Sequence, residues 1–118
     1  LVVDDANRAT VVWGATTVRA ATTDARGVFG APQEIGAGTE VGLAGTPDGR
    51  RLVAWTAGAE GGPLFAALAP AGGPFGAPES VTASGPDTGN PIAAAFGEGR
   101  WWLVWRTPTA FWTSNRPD

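Results

Sequence analysis

The chain of 118 residues has no cysteine, histidine, tyrosine, methionine or lysine. Without cysteine there can be no disulfide or thiolate. Without histidine there is no imidazole to ligate a metal or to carry a proton near neutral pH. No metal site and no cofactor are therefore expected. No apolar run approaches the roughly 20 residues that a membrane-crossing helix needs, so no membrane span is expected. A concentrated basic surface is also missing: the net charge is −3 and the eight basic residues, all arginine, are scattered. That excludes a nucleic-acid partner, which would need a run or patch of cations. Arginine without lysine, together with abundant alanine, glycine and proline, reads as the coding bias of a GC-rich bacterial genome. The lack of cysteine leaves the compartment open, and an extracellular or cell-surface location is the favoured expectation. Because the chain opens on Leu1, it reads as a trimmed or processed product or a fragment.

What the sequence does contain is a repeat. Phe29-Gly30-Ala31-Pro32 recurs as Phe75-Gly76-Ala77-Pro78, an offset of 46 residues. Arg8 and Trp13, Arg50 and Trp55, and Arg100 and Trp105 each pair an arginine with a tryptophan five positions later. A period of roughly 40 to 50 residues built from short apolar runs and turn residues predicts the blades of a β-propeller. The fold class expected is all-β, with antiparallel four-stranded blades and about two and a half of them in this chain. The blades fall at about 1–40, 41–83 and, incomplete, 91–118.

Each copy has four segments. The innermost is small and apolar, Val41 to Thr46, matched by Pro91 to Phe96. A turn follows, Pro47-Asp48-Gly49, matched by Gly97-Glu98-Gly99 and Asp5-Ala6-Asn7; Asp-Gly between apolar runs predicts a type I′ hairpin. In the tryptophan segment both side-chain parities are apolar: Val53 and Trp55 on one, Leu52 and Ala54 on the other. Such a strand must be covered on both faces, as neighbouring blades would cover it. The third segment runs from Val18 to Thr22 and from Leu64 to Leu68. The fourth is the Phe-Gly-Ala-Pro strand, placed at a sheet edge because Pro32 and Pro78 cannot donate to a ladder.

Thr46-Pro47-Asp48-Gly49-Arg50-Arg51-Leu52-Val53-Ala54-Trp55 resembles the Ser-Pro-Asp-Gly-type core of bacterial tandem propeller repeats. Thr22-Thr23-Asp24-Ala25-Arg26-Gly27-Val28-Phe29 resembles, with one residue more between Asp and Gly, the Asp-box hairpin of sialidase-like propellers. Both resemblances imply a fold and not a chemistry, since the hairpin carries no catalysis in either family. A sialidase mechanism would also need a tyrosine nucleophile, which this chain lacks. Phe-Gly-Ala-Pro matches the name string of integrin-type repeats but not their Asp-rich calcium loop, so that family is set aside.

The recurring Trp13, Trp55 and Trp105 read as core between blades, and Arg8, Arg50 and Arg100 as exposed arginines after turns. Trp101 stands where the other copies have Ala9 and Arg51. With Trp102, Trp112 and Arg106 it makes the third copy unusually aromatic. Two readings follow: a ligand-binding surface of Trp101, Trp112 and Arg106 on which a sugar ring would stack, or a junction with a neighbouring blade, the reading favoured. Asp4, Asp5, Glu40, Asp48, Glu60, Asp87 and Glu98 are the available acid–base groups, all in or near turns, and no catalytic residue is assigned. The function expected is a non-catalytic binding or assembly scaffold that completes a larger propeller with other chains, either copies of this one or a complementary propeller chain, or with missing sequence. A homo-oligomeric ring, as two-blade bacterial lectins form, is the competing assembly. A carbohydrate-binding lectin-like module and the C-terminal part of a propeller glycoside hydrolase are the alternative functions.

Overall fold

Residues 1–58, 61–81 and 88–117 are described by the computed structural model, and among them eleven strands form three antiparallel sheets. Sheet one runs β1 (Val2–Val3), β2 (Ala9–Gly14), β3 (Thr17–Thr22), β4 (Gln33–Ala37). Sheet two repeats it as β5 (Val41–Gly45), β6 (Arg51–Thr56), β7 (Leu64–Ala69), β8 (Glu79–Ser80). Sheet three has β9 (Asn90–Gly97), β10 (Arg100–Arg106) and β11 (Phe111–Pro117), with no fourth strand among the described residues. Every sheet is a meander in chain order, so each is one four-segment repeat or most of one. The architecture is that of a partial β-propeller whose sheets do not close on themselves.

The hairpin turns have two chemistries. Glu98 and Gly99 both take positive φ, 52° and 72°, as a type I′ turn demands. Pro47-Asp48-Gly49 does not follow the type I′ expectation. Proline's ring holds φ negative, so only Gly49 is left-handed, at 96°. Its N–H donates to the Thr46 carbonyl (3.0 Å) while Thr46 N–H donates to the Arg50 carbonyl (2.9 Å). That is the longer turn closed by a glycine bulge.

The same turn recurs at residues 4–8 and 24–28, closed by Asn7 and Gly27. In both, the leading aspartate ties the loop: Asp4 Oδ1 accepts from the amides of Ala6 and Arg8, and Asp24 Oδ1 from those of Arg26 and Val28. These contacts favour the ionised form. The Arg8 amide holds Asp4 below the usual carboxylate range, and the Val28 amide does the same for Asp24. For Asp48 the leading cause is the Thr46 hydroxyl. The sign follows from linkage. A lowered folded-state pKa contributes stability that is complete above the unfolded carboxylate range and is lost as the pH falls through the lowered value. Urea midpoints should stay level from neutral pH to about 5 and drop below about 4. Asp24→Asn should be less stable than the parent at neutral pH and converge with it in acid; a gap that persists unchanged in acid would contradict this origin.

The sheets stack face to face in the order one, two, three. Between sheets one and two lie Val18, Ala20 and Ile35 from one side and Val53, Trp55, Ala67, Ala69 and Phe75 from the other. Between two and three lie Ala44, Leu52, Ala54, Leu64 and Ala66 against Trp101, Leu103 and Trp105. Sheet two is thus covered on both faces, and every residue of β6 is buried. This is why both parities of that strand are apolar.

A glycine seats each of the two buried repeat tryptophans, Trp55 and Trp105. A Cβ on Gly38 would stand 2.3 Å from Trp55 Cδ1 and 2.6 Å from the Thr56 carbonyl oxygen. On Gly89 it would stand 2.7 Å from Trp105 Cδ1 and 2.5 Å from the Arg106 carbonyl oxygen. Both glycines precede the innermost strand of a sheet, so the backbone itself closes over the indole. Gly38→Ala should cost about 1–3 kcal/mol through overpacking against backbone that cannot move aside. Thermal denaturation with an unchanged melting temperature would show that the seat is loose.

Candidate functional site

Side-chain parity decides what each sheet offers. Residues with the parity of the recurring tryptophan face the preceding sheet, and residues of the other parity face the next. Trp55 (2% exposed) packs toward sheet one and Trp105 (0%) toward sheet two. Trp13 has the same position in sheet one, with no sheet before it among the described residues, and is 38% exposed. The expectation of three inter-blade tryptophans therefore holds for Trp55 and Trp105, while Trp13 lies on an open face. Exposed Val3 shares that face: it pairs with Ala9, which has the parity of Trp13. On the far side of sheet three, Trp102 (39% exposed), half-buried Val104 and exposed Phe111 form a second open face.

Position 51 and its counterpart 101 plug the two closed junctions. Arg51, to which the sequence assigns no role, is buried. Its Nη1 donates to Thr10 Oγ1 and Thr22 Oγ1 of sheet one (3.3 and 3.1 Å). Its Nη2 donates to the Pro70 and Gly73 carbonyls and its Nε to the Gly49 carbonyl (3.1 Å). The guanidinium lies 5.3 Å from the centre of the Phe75 ring. Burial lowers its pKa, nearby Arg8 adds to that and Asp4 opposes it; an arginine remains charged regardless. Trp101, in the same place at the second junction, is 2% exposed and meets Phe96 edge-on at 4.8 Å.

The three residues expected to form a ligand surface are not brought together. Trp101 is enclosed between sheets two and three. Trp112 pairs with Trp105 across the β10–β11 ladder, whereas Trp101 pairs with Arg116. The two indoles are thus separated by four residues of strand, about 13 Å. Trp112 is 36% exposed and its Nε1 donates to Thr107 Oγ1 (3.3 Å). Arg106 lies on the opposite parity from Trp105, beside a cleft of about 390 Å³ that Thr107, Gly89 and Asn90 also line. Trp112 and Arg106 share one hairpin end; Trp101 does not reach it.

Two of the acid–base candidates have structural occupations. Asp4 pairs with Arg8 at 2.7 Å and Asp48 with Arg50 at 3.2 Å, both inside turns. Glu60 and Asp87 lie outside the described residues. Among the described residues no group of three or more acidic side chains could hold a metal, and no helix is long and apolar enough to cross a membrane.

A groove of about 430 Å³ opens between sheets two and three, floored by Leu52, Ala66, Trp101 and Leu103 and rimmed by Glu79 and Arg116. The sequence carries no signal for it, because it lies where the position filled by Phe75 at the first junction has no counterpart among the described residues at the second. Compared with known proteins, the chain matches no protein-family model and no curated relative.

Proposed function

We propose that this chain is a non-catalytic propeller segment whose two open faces bind further sheets of the same kind. One contrast carries the reading: equivalent residues are buried where a neighbouring sheet exists and exposed where it does not. Trp55 is 2% exposed against 38% for Trp13, and Phe75 is 5% against 51% for Phe29. The tryptophan face of sheet one has the same chemistry as the faces that pack inside the molecule, and the Trp102 face is its counterpart. Head-to-tail packing of copies would cover both, closing a ring if the rotation allows it. Sedimentation equilibrium over a concentration series should give masses that are multiples of 12.0 kDa. Trp13→Asp should reduce them to one. A wild-type chain that stays a soluble monomer at every concentration would contradict the proposal.

A second reading, glycan stacking, is favoured by the half-exposed Trp112 ring at the β10–β11 hairpin end, where its Nε1 donates to Thr107. Glycan-array binding that disappears on Trp112→Ala would support it, and silence across the array would remove it.

A further inference from the structure

The two closed junctions can be compared position by position. At the first, Phe75 leaves the connection before β8 and inserts between sheets one and two, among Val18, Ala20, Ile35, Val53 and Ala69. Its backbone is clamped from sheet one: the Gln33 side-chain amide donates to the Phe75 carbonyl and accepts from its N–H, each at 2.9 Å. Gly76 N–H then donates to the Leu68 carbonyl of β7 (2.8 Å), as Gly30 N–H does to Thr22 in sheet one (3.0 Å).

At the second junction the same surroundings are present around a space. Forty-six residues on from Ala20, Ile35 and Gln33 stand Ala66, Val81 and Glu79. From the other side, the ladder register puts Leu103 in the place of Val53 and Arg116 in the place of Ala69. All five line the groove of about 430 Å³. The groove is the Phe75 socket repeated, with its walls present.

We propose that this groove takes an extended polypeptide segment of aromatic-Gly-x-Pro chemistry, which adds as a fourth strand to the edge of β11 opposite β10, where no described strand pairs. The inference deepens the propeller-segment reading, on which it rests, by naming the strand that completes sheet three. The repeat sets the register. The residue four after the aromatic faces Thr113, as Gln33 faces Ala20 and Glu79 faces Ala66. The glycine N–H donates to the Asn115 carbonyl, the counterpart of Leu68. The rim chemistry fits a backbone. Glu79, a carboxylate, accepts an N–H but cannot donate. Arg116, ion-paired with Glu79, supplies the donor that the Gln33 amide provides in sheet one. Trp101 takes the part of Arg51 against the incoming ring.

The probe is a fluorescein-labelled peptide with the sequence of residues 73–81, titrated into the full chain and followed by anisotropy, with an isotope-labelled chain for amide shifts. Saturable binding is expected, with the largest shifts at residues 112–116 and Trp101 and none at Trp13. A peptide with alanine for the phenylalanine should bind roughly ten- to hundredfold more weakly. Glu79→Lys should weaken binding while leaving the unbound chain folded. Absence of binding, equal affinity of the two peptides, or shifts confined to the Trp13 face would each overturn the proposal. A monomeric chain that binds the peptide would remove the assembly reading and leave this one standing; an assembling chain that ignores the peptide would do the reverse.

Discussion

Trp55→Ala is expected to cost about 3–5 kcal/mol, a large part of the roughly 5–15 kcal/mol that holds an ordinary domain together. The side chain is 2% exposed and stacks on Phe65 with ring centres 6.1 Å apart. Its Nε1 donates to the Ala37 carbonyl at 3.1 Å. Truncation would open a cavity between two sheets and leave that carbonyl without its donor. Trp13→Ala is the matched control, since it removes the same residue from the same repeat position on an open face. It should cost about 1 kcal/mol or less in the unassembled chain. Urea unfolding of both variants measures the difference, and equal losses would mean that the two faces are not distinct.

The second large effect is at Arg51. Replacing it by methionine keeps much of the stem's volume but removes the guanidinium that ties five acceptors across the first junction. A loss of about 2–4 kcal/mol is expected, chiefly from the carbonyls of Gly49 and Gly73 losing their donor, whereas the Pro70 carbonyl keeps the Gly73 N–H. Arg51→Lys should recover little, because an ammonium cannot reproduce the planar fork that reaches both sheets and lies over Phe75. Full recovery by lysine, measured by the same unfolding curves, would show that only the charge matters.

Much of the architecture was legible in the sequence because strand burial leaves a period-two trace and repeats multiply it. The apolar parities of residues 50–55 anticipated a sheet covered twice, and the Phe-Gly-Ala-Pro spacing anticipated the sheet edges. The ladder of each fourth strand nevertheless begins after the proline, at Gln33 and Glu79. The phenylalanine instead enters the junction from the connection, which no propensity distinguishes from a strand residue.

Arg51 was missed because an arginine after a turn normally lies on the surface; only the neighbouring sheet's hydroxyls make burial favourable. The candidate ligand surface was legible only as composition. Trp101, Trp112 and Arg106 are close in sequence, but the ladder sends Arg106 to the opposite face from Trp101 and leaves four residues of strand between the two indoles. Gln33 and Gly38 left no trace, since their roles depend on a partner repeat about twenty to forty residues away.

Hydroxyl-radical footprinting of the six tryptophans tests the stacked, open-ended arrangement most directly. At concentrations where the chain is monomeric, Trp55, Trp101 and Trp105 should resist modification while Trp13, Trp102 and Trp112 react. Raising the concentration should protect Trp13 and Trp102 together. Modification of Trp55 as fast as Trp13, or protection of Trp13 in the dilute monomer, would contradict the account.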